Sequence, residues 1–568
     1  MVSTPTVSRE SASELADLRK ESRGVQWVIP VVLCAIYVVE CAWFIRTQSL
    51  TFDEPVHVTA GLEAWREGPF ARWNDHPPLQ RLLCTLPLLS SKYQIVVEGQ
   101  PDAYHVADVK PDPQSLAWRG LSVSVILGVI LALLLWSTAK STFSSAAANF
   151  VLALFVFSPA AIANFSMITT DGAGTLMIFA AALQLVRWRR TPSWPETAFL
   201  GAVLGLLLLA KFYTPPIFLI VVAWMLVLTP DSYALHPRRW NWRKTAAAVV
   251  VAFFVLWAGY FFHVSRLTIR NGELTATFPH RDEPTIKKVH SPINFSIPIP
   301  AGEYLEGLRI VALHNHRGHR SYFLGQVSEK GGWKSYYPFV MSVKWPTVVL
   351  FFIAVAIVVV VLKRRQIRGN AWVMASFPLV FLVFAICSKI DIGDRHILPL
   401  YPFALLLCGL LWRWAEARRA VVILLLLGVV LHAADSFRYA PGYISYFNLF
   451  VKKDQGYKLL SDSNVDWGQG LLAVKKYQDE HPGTNFYLVY WGSMDPQLYG
   501  VHCIPLLPGD RPQGIVIVSA TALTGQFLAD PDMYRWLEKF PSRGSLDHAL
   551  LIFDIPQSSV PETRIEPH

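Results

Sequence analysis

The sequence predicts an α-helical polytopic membrane protein with a small extracytoplasmic α/β domain at its C-terminal end. Three observations predict it. Of the 568 residues, 53% are hydrophobic and only 16% are charged. Apolar runs near membrane-spanning length recur between residues 25 and 435, and basic clusters sit in the short loops after alternate runs. A soluble domain carries about a quarter charged residues, so this deficit, with a mean hydropathy of +0.34, points to lipid as the solvent. The formal charge of +10, from 51 Lys+Arg against 41 Asp+Glu, would suit nucleic acid in a soluble protein. Here the basic residues flank apolar runs and no nucleic-acid motif accompanies them, so the expected partner is the lipid bilayer and not nucleic acid. Of the six cysteines, Cys34, Cys41, Cys84, Cys387, Cys408 and Cys503, four lie in apolar runs and none has metal-ligand spacing. No disulfide or zinc-thiolate framework is expected.

A span needs about 20 mostly apolar residues. Runs near that length occur at 25–44, 119–136, 146–167, 171–187, 197–211, 213–229, 246–264, 345–362, 371–388, 397–412 and 419–435, which predicts about eleven transmembrane helices. The first follows a polar start and no small-residue cleavage site follows it, so it reads as a retained helix and not a signal peptide. Arg187, Arg189 and Arg190 follow the fourth run, and Arg238, Arg239, Arg243 and Lys244 the sixth. Lys363, Arg364, Arg365 and Arg368 follow the eighth, and Arg413, Arg418 and Arg419 the tenth. With a cytoplasmic N-terminus every cluster falls inside, as the positive-inside rule requires. Residues 1–24 then form a cytoplasmic tail and 25–435 a transmembrane domain with outer loops 45–118 and 265–344. Residues 436–568 form the extracytoplasmic domain. Within it, apolar stretches at 485–491, 514–520 and 549–555 alternate with helical patterns at 468–480 and 532–540, which gives α/β without a strand order.

An ionisable group in lipid is costly, so its depth is informative. On this topology Glu40, Asp53, Glu54, Asp171, Lys211, Lys389, Asp391, Asp394, Arg395 and His396 all fall at the outer interface. Each taken singly reads equally well as a snorkelling or capping helix-end residue; the set points to a site. Ion-coupled transporters place such groups near mid-membrane instead. A mouth of both signs suits chemistry on a substrate whose charged head lies at the interface and whose tail lies in lipid.

The first outer loop opens Ser49-Leu50-Thr51-Phe52-Asp53-Glu54-Pro55-Val56-His57 and continues to Trp73-Asn74-Asp75-His76-Pro77-Pro78-Leu79. These pieces resemble the bacterial relatives of protein O-mannosyltransferases and of the aminoarabinose transferase that modifies lipid A, both polytopic GT-C enzymes of glycosyltransferase family 39. Thr169-Thr170-Asp171 is similar to the family's second acidic position, and Leu209-Ala210-Lys211 to its basic one. Further stretches resemble one bacterial branch: Ser321-Tyr322-Phe323-Leu324-Gly325, Gly331-Gly332-Trp333, Val343-Lys344-Trp345-Pro346, and Ile392-Gly393-Asp394-Arg395-His396-Ile397-Leu398-Pro399. So do Pro441-Gly442-Tyr443-Ile444-Ser445-Tyr446-Phe447-Asn448 and Ser461-Asp462-Ser463-Asn464-Val465-Asp466-Trp467-Gly468-Gln469.

The resemblance implies a GT-C fold in a bacterial cytoplasmic (inner) membrane and an inverting transfer at its outer face. The sugar comes from a polyprenyl-phosphate donor, and the acceptor is a hydroxyl of a protein Ser/Thr, a lipid or a surface glycan. Such a transfer needs a carboxylate to take the hydroxyl's proton and positive charge to stabilise the departing phosphate. The resemblance assigns Asp53 as base, positioned by Glu54 or Asp171, and Lys211 and Arg395 as phosphate contacts, with Lys344 and His396 behind them. From the residues alone, Asp53-Glu54-Pro55 also reads as a helix N-cap, Lys211 as a snorkelling lysine, and Arg395 as the ion-pair partner of Asp391 or Asp394. Related enzymes use a divalent metal, Mg, Mn or Zn, and the matching positions are Asp75 and His76, although two ligands do not make a site. His76 stands where the lipid A enzyme has Lys. His314, His316 and His319 read as a polar loop that contacts substrate or nothing. Asp462, Asn464 and Asp466 read as a turn into the 468–480 helix, since Gly468 and Ala473 break the calcium-loop pattern. The competing reading is a transporter or flippase of lipid-linked sugars. Neither the sugar nor the acceptor is legible.

Overall fold

The computed structural model describes residues 9–68, 70, 74–90, 92–98, 106–110, 112–227, 241–280, 285–288, 294–364, 369–416 and 418–556, with side chains of the first helix from Trp27 onward. Arg238, Arg239, Arg365 and Arg368 lie outside the described residues.

Helix α1 (Arg9–Thr47) contains the first predicted span and begins within the expected tail. The first loop holds α2 (Glu54–Glu67), α3 (Leu79–Thr85) and an antiparallel ribbon of β1 (Gln94–Glu98) and β2 (Val106–Lys110). Asp112 then caps α4 (Pro113–Thr142), accepting from Gln114 N and Ser115 N at 3.1 Å. The predicted run 146–167 is two pieces, α5 (Ser145–Val156) and α6 (Pro159–Asn164). The break has a local cause. Ser158 accepts from Ala161 N and restarts the helix, and Pro159 at the first position has no N–H to continue the earlier one. Next come α7 (Asp171–Arg190), α8 (Trp194–Ala210), α9 (Pro215–Val227) and α10 (Trp242–Gly259).

The later loop contains a sheet that the sequence reading leaves out. Strands β3 (Val264–Arg270), β4 (Glu273–Thr277), β5 (Thr285–Lys288) and β6 (Phe295–Pro300) form an antiparallel sheet of order β5-β4-β3-β6. The signal was present: Asn271-Gly272, both at positive φ, turns β3 into β4, and such a pair between alternating stretches marks a hairpin. After it come α11 (Gly302–Arg317), the hairpin β7 (Ser321–Phe323) and β8 (Gln326–Ser328), and α12 (Tyr336–Lys344). Helix α13 (Thr347–Leu362) departs from α12 at 115°, where Trp345-Pro346 ends the first helix. Helices α14 (Gly369–Cys387), α15 (Tyr401–Ala415), preceded by the tight turn Asp394–Leu400, and α16 (Arg419–Phe437) complete the bundle.

Every predicted run contains helix, though not every one is long enough to be counted as a span. Among the described residues six helices are long and apolar enough to cross a membrane, or seven if the bent pair α12–α13 is one span. Helices α5, α8 and α9 fall short of 18 residues, and α7 ends in Arg187, Arg189 and Arg190. Lipid-type exposure is plain on the long ones: Val31 and Val39 of α1, Leu362 of α13 and Leu424 of α16 are all more than half exposed. Water would penalise such continuous apolar faces; hydrocarbon does not.

The C-terminal domain is α/β, and its strand order is now explicit. Strands β9 (Phe486–Val489), β10 (Ile504–Pro505), β11 (Gly514–Ser519), β12 (Ser542–Leu546) and β13 (Leu550–Ile555) form a sheet of order β10-β9-β11-β13-β12. Neighbours β10, β9 and β11 are parallel, and the other pairs antiparallel. Helix α17 (Leu471–Glu480) occupies the predicted 468–480 pattern, whereas 532–540 yields only the short turn Arg535–Lys539. The domain docks through three of the sequence stretches. Asn448 Nδ2 donates to Ser342 O and Trp345 O at 2.7 and 2.8 Å, and Lys344 Nζ donates to Ile444 O and Asn464 O at 2.9 and 2.7 Å.

Candidate active site

The site forms where the N-terminal end of α2, the start of α7, the end of α8 and the Asp394–Leu400 turn meet the C-terminal domain. Backbone contacts set the position of the segment before α2. Ser49 N donates to Gln469 O at 2.9 Å, Phe52 N to Trp467 O at 2.8 Å, and Ser493 Oγ to Phe52 O at 2.8 Å. Asp53 therefore occupies the N-cap position of α2, as the capping alternative predicts, yet its carboxylate caps no backbone N–H. It turns to Arg395 instead, with Oδ2 3.2 Å from Nη1. The Asp53 side chain is 31% exposed and that of Arg395 10%. Arg395 thus pairs with neither Asp391 nor Asp394, the partners that the sequence offers locally. Its guanidinium also lies 3.7 Å from the ring centroid of Trp467.

Glu54 is buried and its oxygens are engaged. Oε2 accepts from Thr51 N at 2.7 Å and Thr51 Oγ1 at 2.9 Å, and Oε1 accepts from Ile168 N at 2.8 Å. It ties the loop before α2 to the segment before α7 and so positions Asp53 relative to Asp171. Burial pushes its carboxyl up to about 7, against the three donors, which favour the anion.

Asp171 opens α7, fully buried, and its Oδ1 is salt-bridged to Lys211 Nζ. Lys211 ends α8 and is itself buried, so it does not snorkel. The pair lies within electrostatic reach of Arg395, and Lys211 also of Asp53, so Asp53, Asp171, Lys211 and Arg395 share one cluster. His396 borders it, stacked on Tyr337 at 5.7 Å and edge-on to Tyr213 at 5.5 Å. Lys344 does not present its ammonium to the cluster in the same way. Its two backbone bonds hold the C-terminal domain, and the ring of Phe447 lies 4.7 Å from Nζ.

Asp75 and His76 form a second group. Asp75 Oδ2 is 3.0 Å from His76 Nδ1 and its Oδ1 3.2 Å from Arg81 Nη2, while Arg81 Nε donates to His57 Nδ1 at 2.8 Å. Both carboxylate oxygens of Asp75 are thus occupied. Among the described residues no three His, Cys, Asp or Glu side chains come together as metal ligands, so Asp75 and His76 do not by themselves fit the divalent ion expected of them.

Two residues near the cluster are given no catalytic role by the sequence reading, which takes Asp462 for part of a turn and His319 for part of a polar loop that contacts substrate or nothing. Asp462, in the left-handed region at φ 56°, is held by its N–H to Thr521 Oγ1 at 3.1 Å. Burial and the nearby Asp53 raise its carboxyl to about 7, with Arg395 opposing. His319 reaches the cluster and bonds His314 at 3.1 Å; burial, His314 and Arg395 bring it down to about 3. Beside Arg395 a small cavity with room for one water-sized group is lined by Asn164, Tyr443 and Trp467. Arg395 Nε, Asn164 Oδ1 and Tyr443 Oη are buried there without partners among the described residues. Gly393 illustrates the tightness of the turn: it sits at φ 115°, and a Cβ on it would stand 2.9 Å from Asn464 Oδ1.

Residues 114–258, α4 through α10, match the family model described as dolichyl-phosphate-mannose-protein mannosyltransferase. No curated protein sequence matches the chain. Among solved structures it is similar to ArnT from Cupriavidus metallidurans bound to undecaprenyl phosphate, at 13% identity over 93% of this chain and 98% of that one, with a TM-score of 0.45. It is similar to the S. cerevisiae protein O-mannosyltransferase Pmt1-Pmt2 complex bound to the sugar donor, at 11% identity over 84% and 94%, with a TM-score of 0.47. A third likeness is to the oligosaccharyltransferase AglB from Archaeoglobus fulgidus in complex with an inhibitory peptide and a dolichol-phosphate, at 11% identity over 94% and 75%, with a TM-score of 0.43. At these scores the three likenesses do not by themselves fix the fold.

Proposed function

From the match of residues 114–258 to the dolichyl-phosphate-mannose-protein mannosyltransferases, we propose that the chain is a membrane glycosyltransferase that moves a sugar from a polyprenyl-phosphate donor to a hydroxyl. The transfer takes place at the outer face of the membrane and inverts the anomeric centre. The acceptor is a protein Ser/Thr, a lipid or a surface glycan. The observation that carries the reading is the 3.2 Å contact between Asp53, the half-open carboxylate, and Arg395, the buried cation beside it.

In the resting site Arg395 pairs with Asp53. A donor phosphate competes for the same guanidinium, because Arg matches phosphate and carboxylate alike. Once Arg395 turns to phosphate, the Asp53 carboxylate is freed to face the acceptor hydroxyl. The acceptor oxygen then attacks the anomeric carbon, its proton passes to Asp53, and the bond from the anomeric carbon to the phosphate oxygen breaks. The polyprenyl phosphate leaves with Arg395 and Lys211 stabilising its charge. Asp171 keeps Lys211 charged and in place within the buried setting, and His396 flanks the phosphate.

The test is transfer of label from radiolabelled polyprenyl-phosphate sugars by the purified protein. Asp53→Asn should lower turnover by about 10²–10⁴-fold, the contribution of a positioned base. Undiminished transfer in that variant overturns the assignment. Labelled lipid crossing liposomes with no glycosylated product would favour a flippase instead.

A further inference from the structure

The C-terminal domain carries a groove of about 690 Å³ that the transfer chemistry does not use. Its floor is a sheet face: Leu551 and Phe553 lie two apart on β13, and Ser542 of β12 pairs with Phe553. The hairpin β7–β8 and the segment 453–458 wall it, and Arg535 and Glu538 close it from the third side.

The charge of the walls is unbalanced. Lys453 and Lys458 are exposed and form no ion pair among the described residues; they lie 5.8 and 5.7 Å from the rings of Tyr439 and Tyr457. Of the other charged groups, Asp454 contacts His548 at 2.6 Å, Glu538 accepts from the Tyr457 hydroxyl at 3.2 Å, and Arg535 is paired with Asp532 at 2.9 Å. The groove therefore offers unpaired cations beside aromatic rings. Its inner wall also adjoins the cluster, because Thr524 Oγ1 lies 2.8 Å from Ser461 Oγ, one residue before Asp462.

We propose that this groove binds an anionic glycan, a chain of sugar rings bearing carboxylates, and that it holds the acceptor for the transfer. The acceptor role rests on the transferase reading; the binding site does not. The half-buried ring of Phe540 suits a sugar face, and the exposed Lys453 and Lys458 suit carboxylates. An extended peptide adding to β12, the outermost strand of the sheet, is the alternative that the titration tests.

The test is calorimetric titration of the full chain in nanodiscs with an oligogalacturonate octamer, against maltooctaose and an alternating Glu-Ser octapeptide. The galacturonate should bind, weaken as salt rises, and lose about tenfold in affinity in Lys453→Ala/Lys458→Ala, two exposed positions whose truncation leaves the fold intact. Absence of binding, equal binding of maltooctaose, an unaffected double variant, or binding of the peptide in place of the galacturonate would each overturn the proposal. Transfer of label by the unaltered chain separates the two readings. Galacturonate binding with no transfer from any polyprenyl-phosphate sugar sinks the transferase and leaves the groove; transfer without galacturonate binding sinks only the groove.

Discussion

The indole of Trp467 lies 3.7 Å from the guanidinium of Arg395, and its own carbonyl receives the N–H of Phe52 at 2.8 Å. One residue of the C-terminal domain thus orients both the cation and, through Phe52, the neighbouring Asp53. Trp467→Ala removes a partly desolvated cation–π contact of roughly 1–2 kcal/mol. Transfer should fall about 5- to 30-fold, with a larger rise in KM for the lipid donor than loss in kcat, as steady-state kinetics would show. Trp467→Phe should restore most of it.

Arg395→Lys should behave as a loss of function and not as a conservative change. Lys is a point charge and cannot contact Asp53 and a phosphate through one planar fork. A residual activity near that of Arg395→Ala is expected. Near-normal turnover in the Lys variant would mean that only charge, and not the fork, matters.

The Asp171–Lys211 pair is buried, so removing one partner strands a charge. Asp171→Asn or Lys211→Met should each destabilise the protein by about 3–5 kcal/mol, and the double variant by much less than the sum. Thermal unfolding in detergent, monitored for the four proteins, checks this.

Glu54 gives a pH prediction whose sign is fixed. Burial raises its carboxyl from 4.5 to about 7. Between those values the folded protein holds a proton that the unfolded chain has lost. Stability from this group is fully present below pH 4.5, declines as pH rises to about 7, and is flat above. Glu54→Gln should remove that slope. It should also cost about 1–3 kcal/mol, because an amide cannot accept from both Thr51 N and Ile168 N without turning its NH₂ toward one of them. Unfolding midpoints across pH 4–8 for both proteins would show the difference.

Much of this arrangement is legible in the sequence because charge in an apolar context has few explanations. Asp53, Asp171, Lys211 and Arg395 stand out for that reason, and the structure brings them together. The roles of Lys344 and Trp467 are not legible. A lysine at a helix end reads the same whether it awaits phosphate or, as here, bonds two carbonyls 100 and 120 residues away. Likewise, no local rule places an indole against an arginine 72 positions earlier in the chain. Helix lengths are less legible: hydropathy detects apolar helix, but Ser158-Pro159 and Trp345-Pro346 break it at points that composition does not reveal. The sheet β3–β6 was missed although Asn271-Gly272 announced its first turn.

The bonds from Ser49 and Phe52 to Gln469 and Trp467 join positions more than 400 residues apart. More than 400 residues must therefore be synthesised after Phe52 before Asp53 acquires its setting. Nascent or prematurely terminated chains, though already threaded through lipid, would carry the carboxylate without its support and stay inert.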